Sequence, residues 1–123
     1  TQHYGLLRVE GTPILPHHSW NHLTLLDRAL AYEITTHSEH HLDPTAPFHR
    51  LKPHPEAPQM PSIIYCFVLS LIPPLWDRLI AMPRLRDWDL HFASLGERKL
   101  GLTANARAGW PSWLASAEGG SAR

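Results

Sequence analysis

A second cysteine is absent. Cys66 stands alone, which excludes an internal disulfide and leaves no partner thiolate for a zinc site built around it. Surplus charge is absent as well, since 11 basic residues balance 11 acidic ones, and a chain with no basic excess has no electrostatic case for nucleic acid. No uninterrupted apolar stretch reaches the roughly 20 residues that span a bilayer. The run from Ser62 to Trp76 is interrupted by Pro73 and Pro74. The order HExxH is missing, and so is HxxEH, because Thr36 stands where that pattern needs its first histidine. A soluble zinc hydrolase, which needs a carboxylate base beside an open zinc position, therefore has no support. There is no internal repeat, phosphate loop or nucleophile elbow. Thr1 opens directly into patterned sequence without a signal peptide, so the 123 residues read as one domain at most, the C-terminal piece of something longer.

What the chain has in excess is proline, with 12, and histidine, with 10. Three of the histidines, His37, His40 and His41, fall within five residues at i, i+3 and i+4. On a helix of about 3.6 residues per turn that spacing turns all three rings to one face. The same period read backwards meets Ile34, Leu30, Leu26 and Leu23, so the imidazoles continue an apolar stripe and sit on the core side of an amphipathic helix. This is a metal-binding pattern. Softness alone leaves iron, copper, zinc and nickel open.

The spacing predicts a helix from about Trp20 to His41, capped by Ser19 and stopped by Pro44, which disfavours helical geometry at Asp43. Residues 44–61 carry six prolines, at 44, 47, 53, 55, 58 and 61. They are expected to lie as an extended strap, with His49 and His54 in a solvated loop. The Ser62 to Trp76 run reads either as a plain core helix or as one at a membrane interface, with Trp76, Arg78 and Arg84 at headgroup level. Pro83 is expected to close the next turn, and residues 84–92, with their alternating charges and aromatics, to form an exposed connection. Ser94 and Glu97 have the form of a capping box opening a helix over 95–108, ended by Gly109, Trp110 and Pro111. The domain is set at 1–113, with 114–123 a flexible tail.

His3-Tyr4-Gly5-Leu6, His18-Ser19-Trp20-Asn21 and the cluster His37, His40, His41, in this order and with a proline soon after, resemble the C-terminal half of the integral-membrane non-haem diiron hydroxylases. That family holds the rubredoxin-dependent alkane monooxygenases and the hydroxylase component of xylene monooxygenase. The resemblance covers nearly the whole chain. It implies a mainly α fold, helices joined by the proline-rich strap, with His3, His37, His40 and His41 as iron ligands. His18, Trp20 and Asn21 match a motif that supports the ligands without binding metal, whereas His17, His22, His49, His54 and His91 match no ligand motif. Glu33, Glu39 and Asp43 lie near the ligands, where carboxylates either orient imidazole N–H groups or, more commonly, form solvated helix surface. Alkane enzymes usually have glutamate where Gln2 stands and Leu-Gln-Arg where Ile34, Thr35 and Thr36 stand. The Glu33 to His37 run, Ala57 to Pro61 and Arg84 to Leu90 look closer to the xylene branch.

The implied activity is insertion of one atom of O2 into a terminal or benzylic C–H bond of an alkane or alkylbenzene at two irons. The other atom leaves as water. Electrons derived from NADH would arrive through a rubredoxin or a ferredoxin-type reductase. The family's upstream histidine motifs and transmembrane helices are not in these residues, so membrane attachment, to a bacterial inner membrane with the metal site on its cytoplasmic side, is expected from a missing N-terminal part. The fragment alone is expected to be inactive. The alternative is a truncated, non-enzymatic metal-binding module.

Overall fold

The computed structural model describes residues 3–30, 41, 43–47, 50 and 55–115. Within them the chain is helical. A 3-10 turn at Pro16–His18 is followed by α1 (Leu25–Leu30), α2 (Ile63–Ser70), α3 (Pro73–Trp76), a π-helical segment (Asp77–Ala81), α4 (Met82–His91) and α5 (Leu95–Arg107). The one extended pairing among the described residues is an isolated parallel bridge between Asn21 and Gln59.

That bridge corrects the expected start of the first helix. Asn21 donates its backbone N–H to the Pro58 carbonyl at 3.1 Å and accepts from Met60 N at 2.9 Å, so Asn21 is committed to extended pairing and no helix starts at Trp20. The helix begins after Thr24 instead, whose hydroxyl accepts from Asp27 N at 3.2 Å. Asp27 then reaches forward, its Oδ1 accepting from Ser62 Oγ at 2.9 Å and Ile63 N at 3.1 Å. One carboxylate thus belongs to the first turn of α1 and satisfies the start of α2.

Prolines set the joints of the following helices. Pro73 and Pro74 occupy the first turn of α3, where a missing N–H costs nothing, after Ile72 leaves helical geometry at φ −124°, ψ 89°. Pro83 does not close a turn. It sits in the first turn of α4 directly after the π-helical segment, whose wider turn relieves the clash a proline ring makes with the carbonyl four residues back. Residues 84–91 likewise form helix, with Phe92 at its end, rather than an exposed connection, because Leu85, Trp88 and Phe92 recur at spacings of three and four and turn inward.

The core gathers Trp20 and Met60 with Cys66, Leu69, Trp76, Ile80, Leu85 and Trp88. Burial pushes the Cys66 thiol up, which keeps it protonated and unreactive. The other side of α2 is uncovered: Phe67 is 64% and Leu71 68% exposed, beside exposed Ile64, Tyr65 and Val68. No helix among the described residues is long and apolar enough to cross a membrane.

α5 follows its sequence signal. Glu97 N donates to Ser94 Oγ and Ser94 N to Glu97 Oε2, and Gly109 ends the helix at φ +71°. Gly101 lets α5 approach α4, since a Cβ there would lie 3.2 Å from Asp89 Oδ1. Asp89 is buried, and its Oδ2 accepts from Trp113 Nε1 at 2.7 Å and Asn105 Nδ2 at 3.1 Å. Leu114 packs against the same glycine.

Candidate metal centre

The opening residues form a turn pressed onto α4. Gly5 adopts φ +69°, and a Cβ on it would lie 2.7 Å from Leu85 Cδ1, so both the backbone conformation and the close approach require glycine. The Tyr4 ring meets Trp76 edge-on at 5.4 Å, and the Tyr4 carbonyl accepts from Trp20 Nε1 at 2.9 Å. Pinned on both sides, the turn presents His3.

His3 Nδ1 lies 3.0 Å from the carbonyl oxygen of His18. A carbonyl only accepts, so Nδ1 carries the proton and Nε2 carries the lone pair. His3 Nε2 points at His41 Nε2, 3.0 Å away, with the ring centroids 4.9 Å apart at 65°. Two ring nitrogens approach this closely by sharing a proton or by facing a common cation. Two imidazoles bound to one metal at right angles, with bonds of roughly 2.1 Å, place their nitrogens about 3 Å apart. A ligand imidazole commonly donates its other N–H to a backbone carbonyl, which is what His3 does. The pair therefore fits the metal that the histidine pattern implies. A mainly apolar recess of about 170 Å³, lined by His3, Leu6, Leu7, Arg8, Ile14 and His18, adjoins it.

A second cluster fails the same test. His17, His18 and Glu97 bring potential ligand atoms within 4.8 Å of one another. His18 Nδ1, however, accepts from Leu15 N at 2.9 Å, so its proton is on Nε2, which donates to Glu97 Oε1 at 2.5 Å. That is the reverse of the tautomer a metal needs at Nε2. The cluster is a buried imidazole–carboxylate clamp. Burial pushes the Glu97 carboxyl upward, but the bonds from His18 and Ser94 and the nearby His17 outweigh it, so the carboxyl titrates below its ordinary value.

Of the residues expected around the metal, His37, His40, Glu33 and Glu39 lie outside the described residues, as do His49 and His54. Asp43 Oδ1 accepts from Thr45 Oγ1 at 2.7 Å and Thr45 N at 3.1 Å, and those bonds lower its carboxyl below the usual range. Trp20 holds the Tyr4 carbonyl and Asn21 the segment around Gln59, while His18 acts through its carbonyl on His3. Sequence reasoning gave Glu97 only its capping role and assigned nothing to His22 or Asp27. His22 is buried and donates Nδ1 to the Pro61 carbonyl at 2.6 Å. The only signal for these was polarity beside apolar residues, because their partners are 35 or more positions away.

Over 115 residues the chain is 56% identical to the xylene/toluene monooxygenase hydroxylase component XylM of Pseudomonas putida, an alignment covering 94% of this chain and 31% of that protein. It is 36% identical over 85 residues to an alkane 1-monooxygenase of Acinetobacter baylyi, covering 64% of this chain and 21% of the relative. An alkane 1-monooxygenase of Ectopseudomonas oleovorans is 32% identical over 93 residues, 71% of this chain and 23% of its own length. The chain thus spans less than a third of the length of these relatives. No family model matches it, and no solved structure does.

Proposed function

Because the chain belongs to the hydroxylase family of the xylene/toluene component XylM and the alkane 1-monooxygenases, we propose that it is the C-terminal part of a membrane-bound non-haem diiron monooxygenase acting on a hydrocarbon. The observation that carries this reading is the facing pair His3 Nε2 and His41 Nε2, 3.0 Å apart and drawn from opposite ends of a 38-residue separation. His37 and His40 complete the ligand set contributed by this chain. Upstream residues of the whole protein supply the rest.

Iron, when bound, supplies the capacity to split O2 and to place one atom into a terminal or benzylic C–H bond, the other leaving as water with two electrons and two protons. The chain's own residues hold and orient. Neutral imidazoles bind without cancelling the metal's charge. The His18 carbonyl fixes the tautomer of His3 by accepting a hydrogen bond from its Nδ1–H. The mainly apolar recess beside His3, with Leu6, Leu7 and Ile14 in its wall, suits a hydrocarbon that offers no hydrogen bonds. The higher identity to XylM favours an alkylbenzene over an alkane. Electrons come from a rubredoxin or ferredoxin-type reductase, and the site faces the bacterial cytoplasm from the inner membrane.

The test is expression of the complete reading frame, with iron content measured and products analysed after feeding xylene and octane separately. Two irons per chain and a benzylic alcohol are expected. An iron-free protein that oxidises neither substrate leaves a non-enzymatic module and overturns the proposal.

A further inference from the structure

We propose that Glu97, at the start of α5, is a positioning residue for the metal centre: it holds the turn of His18 so that the carbonyl of His18 aims His3. The proposal rests on the reading of His3 as an iron ligand and adds a residue 94 positions downstream of it. The links are continuous. Glu97 Oε1 accepts from His18 Nε2 at 2.5 Å, His18 Nδ1 accepts from Leu15 N at 2.9 Å, and the His18 carbonyl accepts from His3 Nδ1 at 3.0 Å. His3 Nε2 then faces His41.

The two carboxylate oxygens divide their tasks. Oε2 accepts from Ser94 N at 2.8 Å, closing the capping box, and lies 3.3 Å from His17 Nε2. Oε1 serves His18 alone among the described residues. A helix cap needs only the first of these, and capping does not explain a buried carboxylate joined to an imidazole 79 residues away. Because Leu15 N holds Nδ1, the ring of His18 cannot turn its Nε2 into an acceptor. Glutamine at position 97 therefore fails: its amide has one acceptor oxygen, and two N–H donors, of Ser94 and His18, compete for it. Supporting residues of this kind typically alter metal affinity 10- to 100-fold.

The experiment uses the complete enzyme, with iron affinity measured by competition against a chelator and Mössbauer spectra recorded for each form. Glu97→Ala and Glu97→Gln are expected to weaken binding of one iron roughly 10- to 100-fold and to change one quadrupole doublet. Ser94→Ala removes the hydroxyl cap but leaves the His18 contact, and its iron affinity is expected to stay within about twofold of wild type. His18→Ala and the double variant with Glu97→Ala are expected to match Glu97→Ala alone, because both break one relay. Wild-type affinity and spectrum in both Glu97 variants overturn the proposal, as does an equal loss in Ser94→Ala, which would reduce Glu97 to a cap. Unchanged iron in His3→Ala overturns the ligand reading itself, and the positioning role with it.

Discussion

Trp88 donates its indole N–H to the carbonyl oxygen of His17 at 2.6 Å, while its neighbour in the chain, His18, is held by Glu97. Two adjacent residues of one short turn are thus gripped by two different helices, α4 through a fully buried indole and α5 through a carboxylate. Trp88→Phe keeps most of the buried ring and deletes the bond. It is expected to cost about 1–3 kcal/mol, part from the unmatched carbonyl and part from the lost volume. Thermal unfolding of the complete enzyme measures it, and an unchanged midpoint would show that the His17 carbonyl finds another donor.

Gly5 and Gly11 separate two costs of adding a methyl group. Both have positive φ, +69° and +79°, but a Cβ on Gly5 meets Leu85 at 2.7 Å whereas one on Gly11 meets nothing within 4 Å. Alanine at either position costs roughly 1–2 kcal/mol for the left-handed conformation. Gly5→Ala is expected to lose at least about 1 kcal/mol more, because Leu85 must move within a packed core. It should also lower iron loading, since the displaced turn carries His3. Equal unfolding midpoints for the two variants would show that Leu85 yields without cost.

Local signals were legible where the partner lies within a turn. Ser94 and Glu97 stand three apart, and the helix they open was readable residue by residue. The same glutamate's contact with His18 was not, because nothing in the sequence around either residue encodes a partner 79 positions away. The first helix starts later than its apolar period suggests for the same reason: the period runs back smoothly, and the pairing of Asn21 with Pro58 and Met60 forbids helix at its start. Charge misled at residues 84–92, where two arginines and two aspartates flank a tryptophan that is fully buried. The pairing of His3 with His41 was approachable only through the family resemblance: His41 belongs to a cluster at ligand spacing, whereas His3 is a single histidine whose neighbours carry no such spacing, and no periodicity links the two.

Asp89 makes a prediction about pH. Burial pushes its carboxyl above the ordinary value of 3.8, and the bonds from Trp113 and Asn105 and the charge of Arg98 only partly offset that. A carboxylate whose folded pKa is raised binds its proton more tightly folded than unfolded. Its contribution to stability is therefore greatest below 3.8 and declines as pH rises towards the folded value. Asp89→Asn removes the titration while keeping an acceptor for Trp113. The stability of wild type minus that of Asp89→Asn is expected to fall with pH across this window and to be flat above it, as read by denaturant unfolding at stepped pH. A difference flat throughout would place the Asp89 pKa at its ordinary value. Asp89→Ala is expected to cost about 2–4 kcal/mol below this window, since two donors lose their acceptor, and that cost should fall with pH in parallel with the Asp89→Asn difference.

Metal removal couples the candidate centre to the fold. A ligand that binds only the native state stabilises it by RT ln(1 + [L]/Kd), about 2.7 kcal/mol at a hundredfold excess over Kd. Chelation should therefore lower the unfolding midpoint of the complete enzyme. His41 is bonded to His3 38 residues earlier, so a shared metal closes that loop and its loss loosens both ends. His41→Ala, like His37→Ala and His40→Ala, is expected to abolish iron loading and oxygenation, and chelator should then leave the midpoint where the substitution put it. His54→Ala, outside every ligand motif, is expected to keep wild-type iron and the full chelator-induced shift. A chelator shift that survives in His41→Ala would mean that the stabilising metal binds elsewhere, and the 3.0 Å approach of the two imidazoles would then be a shared proton.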